Sequence, residues 1–154
     1  IQQGEIVSFD TDMVGPYGYC ADISRTFVCG NIFNDNQKNL YSMAINQISH
    51  NSSLIKDGTT FKEFIEKSWK LPEEYYGNRY SVMVHGIGLC DEWPSIRYPT
   101  DGGDKGGIFQ KNMTITVESY IGKVGGKEGV KLEQQYLVGQ NGLELMSHHP
   151  LEDI

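Results

Sequence analysis

Positive charge is in short supply: 13 lysines and arginines stand against 20 aspartates and glutamates, leaving a net charge of -7. No basic stripe is present to neutralise phosphates, which argues against a nucleic-acid partner. Long hydrophobic runs are also missing. No stretch approaches the ~20 apolar residues of a membrane span, and the chain does not start like a secretory signal, so a soluble cytoplasmic protein without a membrane partner is expected. Cys20, Cys29 and Cys90 form an odd set without paired ligand spacing. That pattern reads as reduced thiols rather than disulfides or a zinc knuckle, and no role is assigned to them. The glycine-rich stretch 99–107 lacks the spacing and the Lys-Ser/Thr of a phosphate loop, and reads as a loop beside a pocket. There are no internal repeats. With 154 residues, 38% of them hydrophobic, the chain can bury one core.

Against that background the acidic residues fall into recognisable contexts, in the order Asp10 and Asp12, Asp22, His85, Glu118, Glu133. The segment from Glu5 to Asp12 alternates, which places Asp10 and Asp12 on one face of a strand. An apolar run from Tyr80 to Val84 leads into His85-Gly86-Ile87-Gly88, whose glycines let the backbone turn tightly beside the imidazole. Met113 to Glu118 and Val130 to Glu133 read as two further strands with one carboxylate each. A single acidic residue in a strand is an ordinary solvated position; the whole ordered set is not. Carboxylates outnumber the one imidazole, so the set suits harder divalent ions that prefer oxygen: iron, manganese, cobalt or zinc. Two bridged metal ions are expected.

Between these segments, Leu40, Met43, Ala44, Ile48, Leu54 and Ile55 recur at helical spacing and predict a helix over 36–55, closed by Gly58. A second helix is expected over 60–69, begun by Thr60 with Glu63 at the capping-box position. Both would cover the sheet. His50, His148 and His149 lack the context of His85 and read as surface or packing residues. Arg25 is expected to be a buried ion-pair partner of the ligand carboxylates.

The segments Phe9-Asp10-Thr11-Asp12, Ala21-Asp22-Ile23-Ser24-Arg25-Thr26-Phe27, Val84-His85-Gly86-Ile87-Gly88, Thr116-Val117-Glu118 and Leu132-Glu133 together resemble the catalytic half of the pita-bread metallopeptidase superfamily over nearly the whole chain. That resemblance implies an α+β pita-bread fold, an antiparallel curved sheet covered by helices. It also implies that residues 1–154 are the C-terminal, metal-binding catalytic portion, with a leading half and an N-terminal domain absent from this chain. It further implies that two aspartates, one histidine and two glutamates hold two metals, and that the full-length chain forms a homodimer.

Departures from the peptidase pattern are informative. Peptidases of this group follow His-Gly-Ile-Gly with His-Glu-x-Pro, whereas this chain reads Leu89-Cys90-Asp91-Glu92-Trp93-Pro94, with an aspartate for the second histidine and one residue fewer. A carboxylate ionised near neutral pH is a poor proton donor to a scissile amide and a better base. Glu118-Ser119 and Glu133-Gln134 likewise replace the usual Glu-Pro and Glu-Asp. The doubled aspartate and Asp91 resemble the DddP-type lyases of the same fold, which cleave dimethylsulfoniopropionate to dimethyl sulfide and acrylate. In that resemblance Asp10, Asp12, Asp22, His85, Glu118 and Glu133 correspond to metal ligands and Asp91 to the base that removes the α-proton.

The chemistry is consistent with such a role. Cations bound to the substrate carboxylate stabilise the charge that builds as the α-proton leaves, and a β-sulfonium is a good leaving group. The base is expected to sit where solvent is excluded and its pKa is raised. The sulfonium end needs a π-rich wall, at roughly 0.5 to 2 kcal/mol per ring. Tyr80 and then Trp93 are the candidates, with Tyr98 nearby, although aromatics near a strand end are more often packing. Two other readings stay open. One is a metal-dependent Xaa-Pro or methionine-type aminopeptidase in which Asp91 replaces a dispensable histidine; the other is a non-catalytic binding module of the same fold.

Overall fold

The computed structural model describes residues 1–30 and 32–151. Its largest element is a five-stranded antiparallel sheet built from β5 (Val82–Gly86), β6 (Ser95–Arg97), β7 (Thr114–Gly122), β8 (Gly129–Val138) and β9 (Leu143–Leu145), in the order β6-β5-β7-β8-β9. A two-stranded ribbon of β1 (Ile6–Asp10) and β4 (Ser24–Val28) lies against β8, and between its strands sits a smaller hairpin, β2 (Met13–Val14) and β3 (Cys20–Ala21). The long central strands are buried on both faces because each has a different cover. Ile115, Val117 and Ile121 of β7 and Val130 and Leu132 of β8 join the core with Leu40, Tyr41, Ala44 and Ile48 of helix α1 (Asp35–Ser53). The alternating partners, Thr116, Glu118, Lys131 and Glu133, are buried as well, on the face turned to the β1–β4 ribbon.

The helices follow the sequence pattern with changed boundaries. Helix α1 starts earlier than its apolar spacing suggests because Asn34 and Gln37 form a reciprocal capping box: Gln37 N donates to Asn34 Oδ1 at 2.9 Å and Asn34 N to Gln37 Oε1 at 3.0 Å. Helix α2 (Phe61–Lys67) is capped by the Thr60 hydroxyl, as expected. Glu63 does not close the box from the other side; its carboxylate pairs with Lys67 at 2.7 Å instead. A short helix α3 (Glu73–Tyr76) precedes β5.

Strand β1 is shorter than the alternation from Glu5 to Asp12 implies. It ends at Asp10, paired with Ser24, because the Thr11 side chain takes over the contact with the facing strand. The Thr11 hydroxyl donates to the Ile23 carbonyl at 3.0 Å and accepts from the Ile23 N–H at 3.1 Å. Asp12 therefore lies just beyond the strand. Gly86 is required for a different reason: a Cβ there would stand 2.0 Å from the Trp93 carbonyl oxygen. This close approach, with Gly86 N bonded to Pro94 O at 2.8 Å, folds the 89–94 loop back onto the end of β5.

Candidate metal centre

Four chain segments deliver carboxylates to the space between ribbon and sheet. Asp10 closes β1, Asp12 follows it, and Asp22 lies between β3 and β4. His85 comes from β5, and Glu118 and Glu133 sit directly opposite each other on β7 and β8. One ligand atom from each of Asp22, His85 and Glu133 falls within 4.8 Å of the others, and so does one from each of Asp10, Asp12 and Asp22. Asp22 belongs to both groups, so the two candidate groups adjoin. Glu118 joins through His85, its Oε1 3.8 Å from Nε2. The structure thus brings together all six residues singled out from the sequence.

The chemistry of this donor set fits divalent cations. His85 Nδ1 lies 3.0 Å from the Gly86 carbonyl, which turns Nε2 toward Glu133 Oε1 at 3.1 Å and Asp22 Oδ2 at 3.7 Å. Holding one ring nitrogen on a backbone carbonyl is how metal-binding imidazoles are oriented. Two buried carboxylate oxygens of the cluster residues, Asp22 Oδ1 and Glu118 Oε1, have no hydrogen-bond partner. Orphaned buried acceptors of this kind are costly unless a cation satisfies them. Two glutamates facing each other across a β-ladder repel, which again asks for positive charge between them.

Electrostatics carry the same message. Burial, then the charges of Glu133, Asp10 and Asp12, push the Asp22 carboxyl far above its ordinary range. Burial pushes Glu118 up to about 7, with Lys131 opposing and Glu133 adding to the rise. Burial alone would lower the His85 pKa, but the Glu133 hydrogen bond, the Gly86 carbonyl and the Glu118 charge outweigh it and raise the imidazole to about 9. For Glu133 burial is likewise overcome, and its bond to His85 with the Lys131 charge holds it below the usual carboxylate value. Lys131 remains firmly protonated: burial works against it, but Glu118 and Glu133 prevail.

Three residues that the sequence reading passed over complete the centre. Ser24 Oγ lies 2.9 Å from Asp10 Oδ1 and 2.8 Å from Glu133 Oε2, tying the ribbon to the sheet. Thr11 clips the Asp10 and Asp12 segment to the residue after Asp22. Lys131 projects into the carboxylates, bonded to Glu118 Oε2 and 3.5 Å from Asp10 Oδ2. Strand alternation was the signal: Lys131 stands two residues before Glu133 and shares its face.

Arg25 corrects an expectation. It is buried, yet among the described residues it forms no ion pair with the carboxylates; its guanidinium donates to the carbonyls of Ser24, Glu133, His149 and Pro150 and to Gln134 Oε1. It lies on the opposite side of β4 from Ser24, whose hydroxyl faces the cluster, so it ties the C-terminal segment to β8 instead. Asp91 sits on the far side of the imidazole from the carboxylates, its Oδ1 4.0 Å from His85 Nδ1. Its side chain is 29% exposed, so the described residues do not supply the solvent exclusion expected of a base. The Asp91 carboxylate accepts the Glu92 N–H at 2.9 Å, and Glu92 has φ 57, a rarely adopted conformation beside the candidate base.

The two aromatic candidates flank this region, each with a lysine on its ring. The Lys131 ammonium is 4.4 Å from the Tyr80 centroid and Lys105 is 5.6 Å from that of Trp93. Tyr80 bonds Glu92 at 3.4 Å, and burial, with the Glu118 and Glu92 charges, raises its phenol to about 12. Tyr98 belongs to the core, its hydroxyl accepting from Gln47 at 2.7 Å. The glycine-rich segment lies beside Trp93, and together they line a cleft of about 370 Å³. A larger cavity, about 690 Å³, is lined by Ile6, Leu40, Tyr75 and Lys123 and contains none of the candidate residues. The cysteines are free thiols. No helix among the described residues is long and apolar enough to cross a membrane.

Metallopeptidase family M24 matches residues 1–140. The chain belongs to this family. Solved M24-like structures agree with the architecture: the prolidase from Pyrococcus horikoshii superposes with a TM-score of 0.79 at 26% identity, covering 100% of this chain and 43% of that one. The fold is therefore the pita-bread fold. Among curated relatives of this M24 chain, the dimethylsulfoniopropionate lyase DddP of Roseovarius nubinhibens is 38% identical over 99% of the chain and 35% of its own length. The lyase DddP of Roseobacter denitrificans is 35% identical over 98% of the chain and 34% of its own length. The chain thus spans about a third of these curated relatives.

Proposed function

We propose that the complete polypeptide is a metal-dependent carbon-sulfur lyase that cleaves dimethylsulfoniopropionate to dimethyl sulfide and acrylate. The observation that carries this reading is the 38% identity to a DddP lyase along nearly the whole chain, against 29% for the uncharacterised M24 peptidase of Bacillus subtilis. Asp10, Asp12, Asp22, His85, Glu118 and Glu133 are proposed to hold two divalent ions, iron first among the candidates with zinc, manganese and cobalt behind. When bound, those ions would supply Lewis acidity toward the substrate carboxylate.

The protein's own part is positional. Asp91 takes the α-proton; the C–H electron pair becomes the new C=C bond, and the C–S pair leaves on sulfur as neutral dimethyl sulfide. Asp91 then returns its proton to solvent. Tyr80 and Trp93 are proposed to face the sulfonium, each through the ring face not taken by a lysine. A homodimer and a cytoplasmic location are part of the same proposal.

The test is headspace detection of dimethyl sulfide from metal-loaded complete polypeptide, alongside Asp91→Ala and an Xaa-Pro dipeptide. Sulfide release that falls by about 10²-fold or more in Asp91→Ala supports the lyase and its base. The second reading, an Xaa-Pro aminopeptidase, draws on the superposition with a prolidase. Free proline without sulfide would select it.

A further inference from the structure

Lys131 is the one lysine or arginine among the described residues that forms ion pairs with the carboxylate cluster. Its ammonium bonds Glu118 Oε2 and lies 3.5 Å from Asp10 Oδ2 and 3.8 Å from Glu133 Oε2. The glutamate side chains are only 1% exposed, so the lysine is their buried counter-ion, while Asp10, 47% exposed, stands at the solvent edge of the cluster. Its backbone is held from both directions: the Thr26 hydroxyl accepts from Lys131 N at 3.1 Å and donates to Lys131 O at 2.8 Å. By occupying Oε2 of Glu118, it leaves the unpartnered Oε1 as the oxygen that points toward His85.

The charges of the centre require such a residue. Asp10, Asp12, Asp22, Glu118 and Glu133, when ionised, bring five negative charges, of which two divalent ions would neutralise four. We infer that Lys131 is a positioning residue of the metal centre: a tethered cation that supplies the remaining positive charge and fixes which Glu118 oxygen faces the ions. This rests on the reading that the cluster holds divalent cations. The same ammonium lies beneath the Tyr80 ring, so the charge that balances the carboxylates also props the aromatic wall.

The experiment compares Lys131→Met, Lys131→Gln and Lys131→Arg with the parent residue in the complete polypeptide, stripped by chelator and then titrated with manganese(II) alone. Melting temperature and manganese per chain are read in both states. Removing one partner of a buried ion pair leaves the other charge uncompensated. The stripped Met and Gln variants therefore melt lower than the parent, and manganese restores most of the loss, so their metal-induced rise exceeds the parent's. Arg, which keeps the charge, restores the parent values in both states. A Met variant that folds only with manganese present is the extreme form of the same result. Equal losses in stripped and loaded protein would overturn the inference, because they describe packing alone. So would rescue by Gln equal to that by Arg, which would assign hydrogen bonding in place of charge. A parent protein that manganese does not stabilise would overturn the cation reading itself, and this inference with it.

Discussion

At the residue scale, the centre depends on small side chains as much as on the ligands they support. Thr11 is the clearest case: one hydroxyl replaces a rung of the ladder and holds the Asp10 and Asp12 segment against Ile23. Thr11→Val keeps the shape and removes both bonds, and metal affinity is expected to fall by about 10–100-fold, the usual effect of losing a supporting contact to a ligand. Titration calorimetry measures it. The shifted ionisations give a second expectation. In protein stripped of metal, His85 is raised to about 9 from 6.5, so its stabilising contribution is complete below pH 6.5 and disappears as pH rises through 9. Asp22 and Glu118, raised by burial, act in the same sense, since ionising them costs the folded state. Glu133, held low, matters in acid, where stability is lost as pH falls through its folded pKa. Between pH 6.5 and 9 the melting temperature of stripped protein should therefore fall. The gain on adding metal should grow over the same range, because the ion displaces fewer protons. A stripped protein that becomes more stable toward pH 9 would contradict these assignments.

At the element scale, the start of α1 shows what a cap does when it is also a tether. Gln37 is buried, and besides closing the capping box its amide donates to the Gly4 carbonyl at 2.8 Å and to Glu128 at 2.6 Å. Asn34→Ala should cost about 0.5–2 kcal/mol, the range for a lost N-cap. Gln37→Ala should cost more, because it also leaves buried partners unsatisfied. Urea unfolding of both variants ranks them, and equal losses would show that the tether contributes nothing. The turn after β5 is equally constrained. Gly86→Ala would drive a methyl into the Trp93 carbonyl and displace the loop that carries Asp91, so the proposed elimination should suffer more than metal content does. Metal analysis beside the dimethyl sulfide assay separates the two.

At the scale of the whole molecule, the ribbon and the five-stranded sheet are joined by the centre itself: Asp10, Asp12 and Asp22 come from the ribbon side, His85, Glu118 and Glu133 from the sheet. Chelation should therefore speed amide exchange across β1 and β4 before it does so in β7 and β8, which also rest on the α1 core. Uniform loss of protection would instead describe one indivisible unit. Much of this organisation was legible in the chain. Asp10, Asp12, Glu118 and Glu133 were readable from period-2 segments and His85 from its glycine-marked turn, whereas Asp22 was readable only from the segment that carries the family resemblance; a strand's alternation states which side chains share a face whatever lies across from them. The two packing helices were readable from their apolar spacing, although their ends were not, because capping by Asn34 and Gln37 overrides that spacing. The partners of Arg25 and Lys131 were not legible in the chain for one physical reason. A cation's partner is set by which strand faces it across the fold, and that pairing brings Lys131 to Glu118 and Asp10 while turning Arg25 toward the carbonyls of Glu133, His149 and Pro150. The sequence by itself determined the candidate residues, their order and the strands that carry Asp10, His85, Glu118 and Glu133. Only the tertiary structure decided that Asp22 stands in both groups, that two oxygens are left without partners, and that one lysine is buried among the acids, because each of these depends on distances between segments far apart in the chain.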